Sequence, residues 1–217
     1  MQLNKQPNPE GFQNLRGLEK RTTMYYVVKY SGPFGFIKPW TAVRDSETYS
    51  QQFLTPSIIE GIEKKLFPEL LEQSGVIKKI IRHRINYCGI DVQQERTWSK
   101  GGFVAKCEKG IYKTNMGVLS RGVMLNPNLY LAFDIEQDAQ RAFIQTVCLC
   151  RNEDLLFPDS IQEMSVEEFD LINGFELLFS SEVNGFKVGH NRFDNATEMF
   201  GELIVIGNPI RTENAIS

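Results

Sequence analysis

Residues 30–67 read YSGPFGFIKPWTAVRDSETYSQQFLTPSIIEGIEKKLF, and three landmarks in this stretch decide the fold. The first is Ser31-Gly32-Pro33, which stops the run Thr23–Tyr30. That run (TMYYVVKY) is dense in β-branched and aromatic residues and reads as a strand. Pro33, Gly35 and Pro39 then forbid regular structure in the loop that follows. The second landmark is Thr48-Tyr49. The third is Thr55-Pro56-Ser57, which has the form of a helix start: Thr at the N-cap, Pro where a missing N–H costs nothing. Ile58, Ile59, Ile62 and Leu66 follow on one helical face, and Pro68 ends the helix.

Working outward, Val76–Tyr87 (VIKKIIRHRINY) reads as a half-buried strand with a basic outer face. Val76, Ile80 and Ile85 point inward there, and Lys78, Arg82 and Arg84 outward. Cys88–Arg121 is rich in Gly and Lys and reads as an extended hairpin. Asn128–Ile135 is a further strand. Glu136–Cys150 places Ala139, Ala142, Phe143, Val147 and Cys150 on one helical face. Ser165-Val166-Glu167-Glu168 is a capping box opening a short helix. Phe175–Val183, Asn184-Gly185 and Phe186–Val188 read as a hairpin, and Leu203–Ile206 as a last strand. Two strand–helix–strand units of this kind imply an α+β fold with a ferredoxin-like, RNA-recognition-type core and an inserted β-hairpin. Residues 1–22 are polar and read as an extension outside residues 23–217.

The chain has 217 residues and a net charge of only −3, but the charge is unevenly spread. Residues 76–121 hold ten Lys/Arg and three Asp/Glu, a net of +7; residues 122–185 hold two and twelve, a net of −10. Such polarity suits a protein with one phosphate-facing side. The four cysteines form no C-x-x-C pair and only two histidines exist, so no metal site and no cofactor are expected. No apolar run approaches the roughly 20 residues of a membrane span. A cytoplasmic protein with reduced thiols is expected.

The order G-P-F, then Thr-Tyr, then T-P-S resembles the Cas-five subunits of CRISPR Cascade complexes, members of the RAMP superfamily. The resemblance is good from Met24 to Tyr87 and fair to about Ile135. It implies a type I crRNA-binding subunit that grips the 5′ handle of the guide and caps the backbone filament. The implied partners are crRNA, Cas-seven backbone subunits, the Cascade large subunit and, through the complex, target DNA near the PAM. The hairpin at about 88–121 would be the family's thumb, with Trp98 and Met116 as apolar residues on it.

Binding single-stranded RNA takes cations for phosphates and flat side chains for bases. The candidates are Arg44, Tyr49, Ser57, Arg82, Arg84, Arg96, Lys100 and Arg121, with Phe34, Phe36, Trp40 and Trp98 as further flat groups. Some relatives cleave CRISPR repeat RNA without metal, using a Tyr, a Lys and a His. Tyr49 and His83 would be the residues for that alternative, but no Lys-His pair follows Tyr49. A further alternative is an interaction protein outside CRISPR systems that shares only the T-P-S helix start.

Overall fold

A computed structural model describes residues 24–39, 47–73, 75–98, 105–114, 116–180, 185–190 and 196–211. The strands are β1 (Met24–Ser31), β2 (Phe34–Gly35), β3 (Glu47–Tyr49), β4 (Arg82–Asn86), β5 (Gly89–Trp98), β6 (Ala105–Glu108), β7 (Ile111–Thr114), β8 (Met116–Leu125), β9 (Asn128–Phe133), β10 (Val147–Cys148), β11 (Leu155–Ser165), β12 (Gly174–Ser180), β13 (Phe186–His190) and β14 (Glu198–Ile206). The helices are α1 (Pro56–Leu66), α2 (Glu136–Phe143) and α3 (Val166–Asp170).

Eight strands form one sheet in the order β10-β11-β1-β9-β4-β12-β14-β13, with all neighbours antiparallel. A second sheet is built on β8, with β5 along one edge and β2 and β3 on the other. A short ribbon, β6-β7, turns through Lys109 and Gly110. Both residues have positive φ, 54° and 76°, as a two-residue hairpin turn that matches strand twist requires. The class is therefore α+β, mostly antiparallel, with few helices.

Strand pleating sorts the main sheet into two faces. Val28 and Tyr30 of β1, Leu129, Leu131 and Phe133 of β9, and Ile85 of β4 are buried in one cluster with α1 and α2. The α1 residues Ile59, Ile62 and Leu66 are buried there at the spacing read from the sequence, each contributing about 1.5–3 kcal/mol. Tyr30 secures the second helix, its hydroxyl donating to the Ala142 carbonyl at 2.7 Å. The opposite face carries Val27 and Ala132, which pack with Phe169 of α3.

Three expectations are corrected. Residues 76–81 are not strand. They wrap around the buried Glu63 carboxylate, which accepts from the backbone N–H groups of Lys78 (3.0 Å), Lys79 (2.5 Å) and Ile80 (2.9 Å). A carboxylate filled by three backbone donors offers this segment an alternative to a sheet ladder. The helix expected over 136–150 stops at Phe143. Gln145 folds back there, its amide donating to the Leu66 and Arg141 carbonyls, and Val147-Cys148 pairs with β11 instead. The hairpin expected over 175–188 does not form, because β14 lies between β12 and β13. Strand β14 supplies β12 with seven consecutive partners, Gly174↔Ile206 through Ser180↔Phe200. Gly201 fits this close pairing, since a Cβ there would lie 2.8 Å from Leu177 Cγ. The capping box forms as read: Ser165 Oγ accepts from Glu168 N–H, and the Glu168 carboxylate accepts from Ser165 N–H.

Candidate nucleic-acid interface

The Thr48-Tyr49 landmark is stitched to the base of the long β5/β8 hairpin. Strand β3 runs parallel to β8, with Thr48 opposite Arg121 and Tyr49 opposite Gly122. The contact continues through Ser50 N–H to the Gly122 carbonyl at 2.8 Å. Ser50 Oγ in turn accepts from Ile37 N–H at 2.9 Å, which ties in the loop after Gly32-Pro33. Gly122 makes room for the Tyr49 ring, since a Cβ would lie 2.2 Å from it. Tyr49 is half exposed, and its hydroxyl donates to Glu47 Oε1 at 2.9 Å. That hydrogen bond and the carboxylate charge raise the Tyr49 pKa, so the phenol is protonated at neutral pH.

Thr55 is the N-cap of α1, but its hydroxyl does not cap. It lies 3.1 Å from the Ser57 hydroxyl, and the first turn closes on the Thr55 carbonyl through the N–H groups of Ile58 and Ile59. Ser57 is half-buried at this helix start.

Strands β5 and β8 are paired from Gly89↔Leu125 to Trp98↔Met116. Their alternation makes two faces. The inner face is neutralised near its base. Arg151 bonds Asp154 (2.6 and 2.9 Å) and Gln93 (3.2 Å) and forms an ion pair with Glu95. The Arg121 guanidinium lies 3.7 Å from the Glu95 carboxylate. Arg121 and Arg151 also lie over the buried Phe36 ring, at 5.8 and 5.3 Å from its centroid. Arg121 is thus partly neutralised, and Phe36 is a packing platform for cations rather than an open one for bases.

The outer face is open: Ile90, Val92, Gln94, Arg96 and Trp98 alternate outward and are exposed, as is Val118 opposite Arg96. Arg96 makes no ion pair with any of the described residues. Lys106, Lys109, Ile111 and Tyr112 are exposed on the β6-β7 ribbon. Of the remaining expected residues, Arg44, Lys100 and Trp40 lie outside the described residues, as does the Met116 side chain.

Strand β4 corrects the expected basic outer face. Arg82, Arg84 and Asn86 do share one face, away from α1 and α2, but α3 and β12 cover it. Arg84 is only 1% exposed. It donates to Glu176 Oε2 at 2.7 Å and to the carbonyls of Phe169 (2.8 Å) and Ile172 (2.7 Å). Arg82 grips the same Glu176 carboxylate at 2.5 and 2.8 Å and reaches Asp170 at 2.9 Å. Both guanidinium groups lie over the Phe169 ring, 5.0 and 4.9 Å from its centroid. Burial pushes the Glu176 pKa up, yet the arginines outweigh it and hold the carboxyl below its usual range. His83 points to the other face, buried and stacked on Phe179 at 5.8 Å, with Nε2 unpartnered. Burial pushes its pKa down to about 4, so it is neutral at pH 7. The sequence signal missed here was Glu176, a lone acid in a strand pattern (FELLF) that must be paired if buried.

Among the described residues, no three His, Cys, Asp or Glu side chains group as metal ligands, and no helix is long and apolar enough to cross a membrane. No family model and no curated protein matches this sequence. Among solved structures, the chain is similar to one from a CRISPR RNA-guided surveillance complex, at 12% identity and a TM-score of 0.49, covering 85% of this chain and 91% of that one.

Proposed function

We propose that this protein is a crRNA-binding subunit of a type I Cascade-like effector complex, of the Cas-five kind, acting in the cytoplasm. In this reading it grips the 5′ handle of the guide, caps a filament of Cas-seven backbone subunits and adjoins the large subunit that reads the PAM in target DNA. The observation that carries the reading is the junction of Thr48-Tyr49 with Arg121-Gly122. It brings the motif loop, the approach to α1 and the basic hairpin to one place. The strand order β11-β1-β9-β4, with α1 between β1 and β4 and α2 between β9 and β11, supports a ferredoxin-like core. The β5/β8 ribbon fits the thumb, and Arg96 on it and Lys106 and Lys109 on the β6-β7 ribbon are cations placed for phosphates.

Repeat cleavage by Tyr49 and His83 finds no support in this geometry. A general base must reach the proton that it removes. His83 is buried beneath the sheet, and the Tyr49 phenol is held protonated by Glu47. Co-expression with the proteins encoded beside it, purification and sequencing of the bound RNA test the proposal. RNAs sharing one 5′ end inside a CRISPR repeat are expected. Absent or random RNA overturns it and favours the interaction-protein alternative.

A further inference from the structure

A cleft of about 430 Å³ opens at one end of the sheet face that α1 and α2 do not cover. A row of directly opposed residues crosses four strands here, and its first three members form the cleft floor. Phe157 of β11 faces Ser31 of β1, Ser31 faces Asn128 of β9, and Asn128 faces Asn86 of β4. Directly opposed residues in antiparallel strands project to the same side, so these four side chains share one face. The walls are Gly32, Cys88, Asn126 and Arg211. The cleft is assembled from distant parts of the chain: Asn126 N–H donates to the Pro33 carbonyl at 3.0 Å, Cys88 N–H to Leu125 at 2.8 Å, and Arg211 N–H to Tyr87 at 2.8 Å.

Arg211 sets the chemistry. Its guanidinium donates to the Asn126 carbonyl and lies 3.0 Å from the Asn128 side-chain amide, while its Nε is buried without a partner. No carboxylate pairs with it among the described residues, and it is the only charged residue lining the cleft. The contrast within the molecule is sharp: Arg82, Arg84, Arg121, Arg141 and Arg151 each lie within 4.0 Å of a carboxylate. An unneutralised guanidinium in a polar concavity favours an anion, and phosphate suits its fork of donors. Opposite it stands the half-exposed Phe157 ring, a flat apolar surface for a base. The volume lies within the range of small-molecule pockets.

We propose that this cleft binds a single nucleotide unit, with its phosphate on Arg211 and its base against Phe157. The choice of a nucleotide over another phosphate-bearing anion rests on the RNA-binding reading above; the Arg211 anion site does not. The ligand is either a free mononucleotide or one nucleotide of an RNA strand.

The test is a titration of the ¹⁵N-labelled full chain with adenosine 5′-monophosphate, followed by NMR. Saturable shifts of the Gly32, Cys88 and Asn126 amides are expected. Arg211→Gln should weaken binding about tenfold or more, the scale of a lost charge-assisted pair. Phe157→Ala, at a half-exposed position that a fold tolerates, should weaken it about threefold or more. No shifts at these amides, or unchanged binding in both variants, overturns the proposal. Equal binding of inorganic phosphate overturns its base-recognition part. An oligoribonucleotide that displaces the mononucleotide identifies the RNA strand as the source; mononucleotide binding without displacement identifies a free-nucleotide site. Failure of the RNA-binding reading is separable: RNA binding would then be absent from the wild type while the Arg211-dependent shifts persist.

Discussion

Strands β4 and β5 follow one another in the chain, and both interleave arginine with apolar residues, yet their arginines do opposite things. In β4, Arg82 and Arg84 are clamped on Glu176 and stacked on Phe169, beneath α3. In β5, Arg96 stands on an open face between Gln94 and Trp98. The difference lies about 90 residues further along, where Asp170 and Glu176 arrive to neutralise β4 and no carboxylate arrives to neutralise Arg96. Much of the charge polarity in the sequence disappears in this way. Lys79 pairs with Asp138, Arg82 with Asp170 and Glu176, and Glu95 with Arg151. Among the described residues, Arg96, Lys106 and Lys109 on the hairpin and Arg211 keep no carboxylate partner, and neither do the exposed Lys38, Lys65 and Lys78. A basic stretch becomes a nucleic-acid surface only after the acids that fold onto it are subtracted.

The largest effect should come from breaking the β4 brace. Glu176→Ala leaves two half- to fully buried cations without their carboxylate, and loss of about 3–5 kcal/mol is expected in urea unfolding. Replacing Arg82, Arg84 and Glu176 together by apolar residues should recover most of that loss, because the desolvation cost of the ions goes with them. A Glu176→Ala protein as stable as wild type would show that the brace is not structural.

The next effect is a pH dependence from His83, also on β4. Its folded pKa of about 4 lies below the unfolded value of 6.5. The unfolded chain therefore binds the proton first as pH falls. The stability contributed by neutral His83 is fully present above pH 6.5 and is lost as pH falls towards 4. The loss should be about 3 kcal/mol over this window, and His83→Phe should flatten it. Glu176 adds a second loss at lower pH, below its ordinary value of 4.5, which should survive in that variant. A wild-type stability that does not change between pH 6.5 and 4 would contradict the burial of His83.

Local rules carried much of the fold. The strand before Gly32, the helix opened by Thr55-Pro56-Ser57 and the Ser165–Glu168 capping box are short-range features, and each forms where it was read. The errors are all long-range. Nothing local says that Glu63 will capture the N–H groups of Lys78–Ile80, or that β14 will insert beside β12. The Thr48-Tyr49 motif was legible in the sequence, but the exposure of the arginines was not. Thr48-Tyr49 pairs with Arg121-Gly122 at the hairpin base, while Arg84 is buried by an acid 92 residues away. The Arg211 cleft left no sequence signal, since its residues come from five separate segments and no motif spans them.

The most direct measurement is the salt dependence of single-stranded RNA binding by the wild type and by Arg96→Glu/Lys106→Glu/Lys109→Glu. These exposed positions should leave folding stability within about 0.5 kcal/mol. If the hairpin is the phosphate surface, the variant binds RNA more weakly and the slope of log K against log salt becomes shallower by about 2, the release expected for three phosphate contacts on a single strand. The same affinity and slope for both proteins would contradict the account.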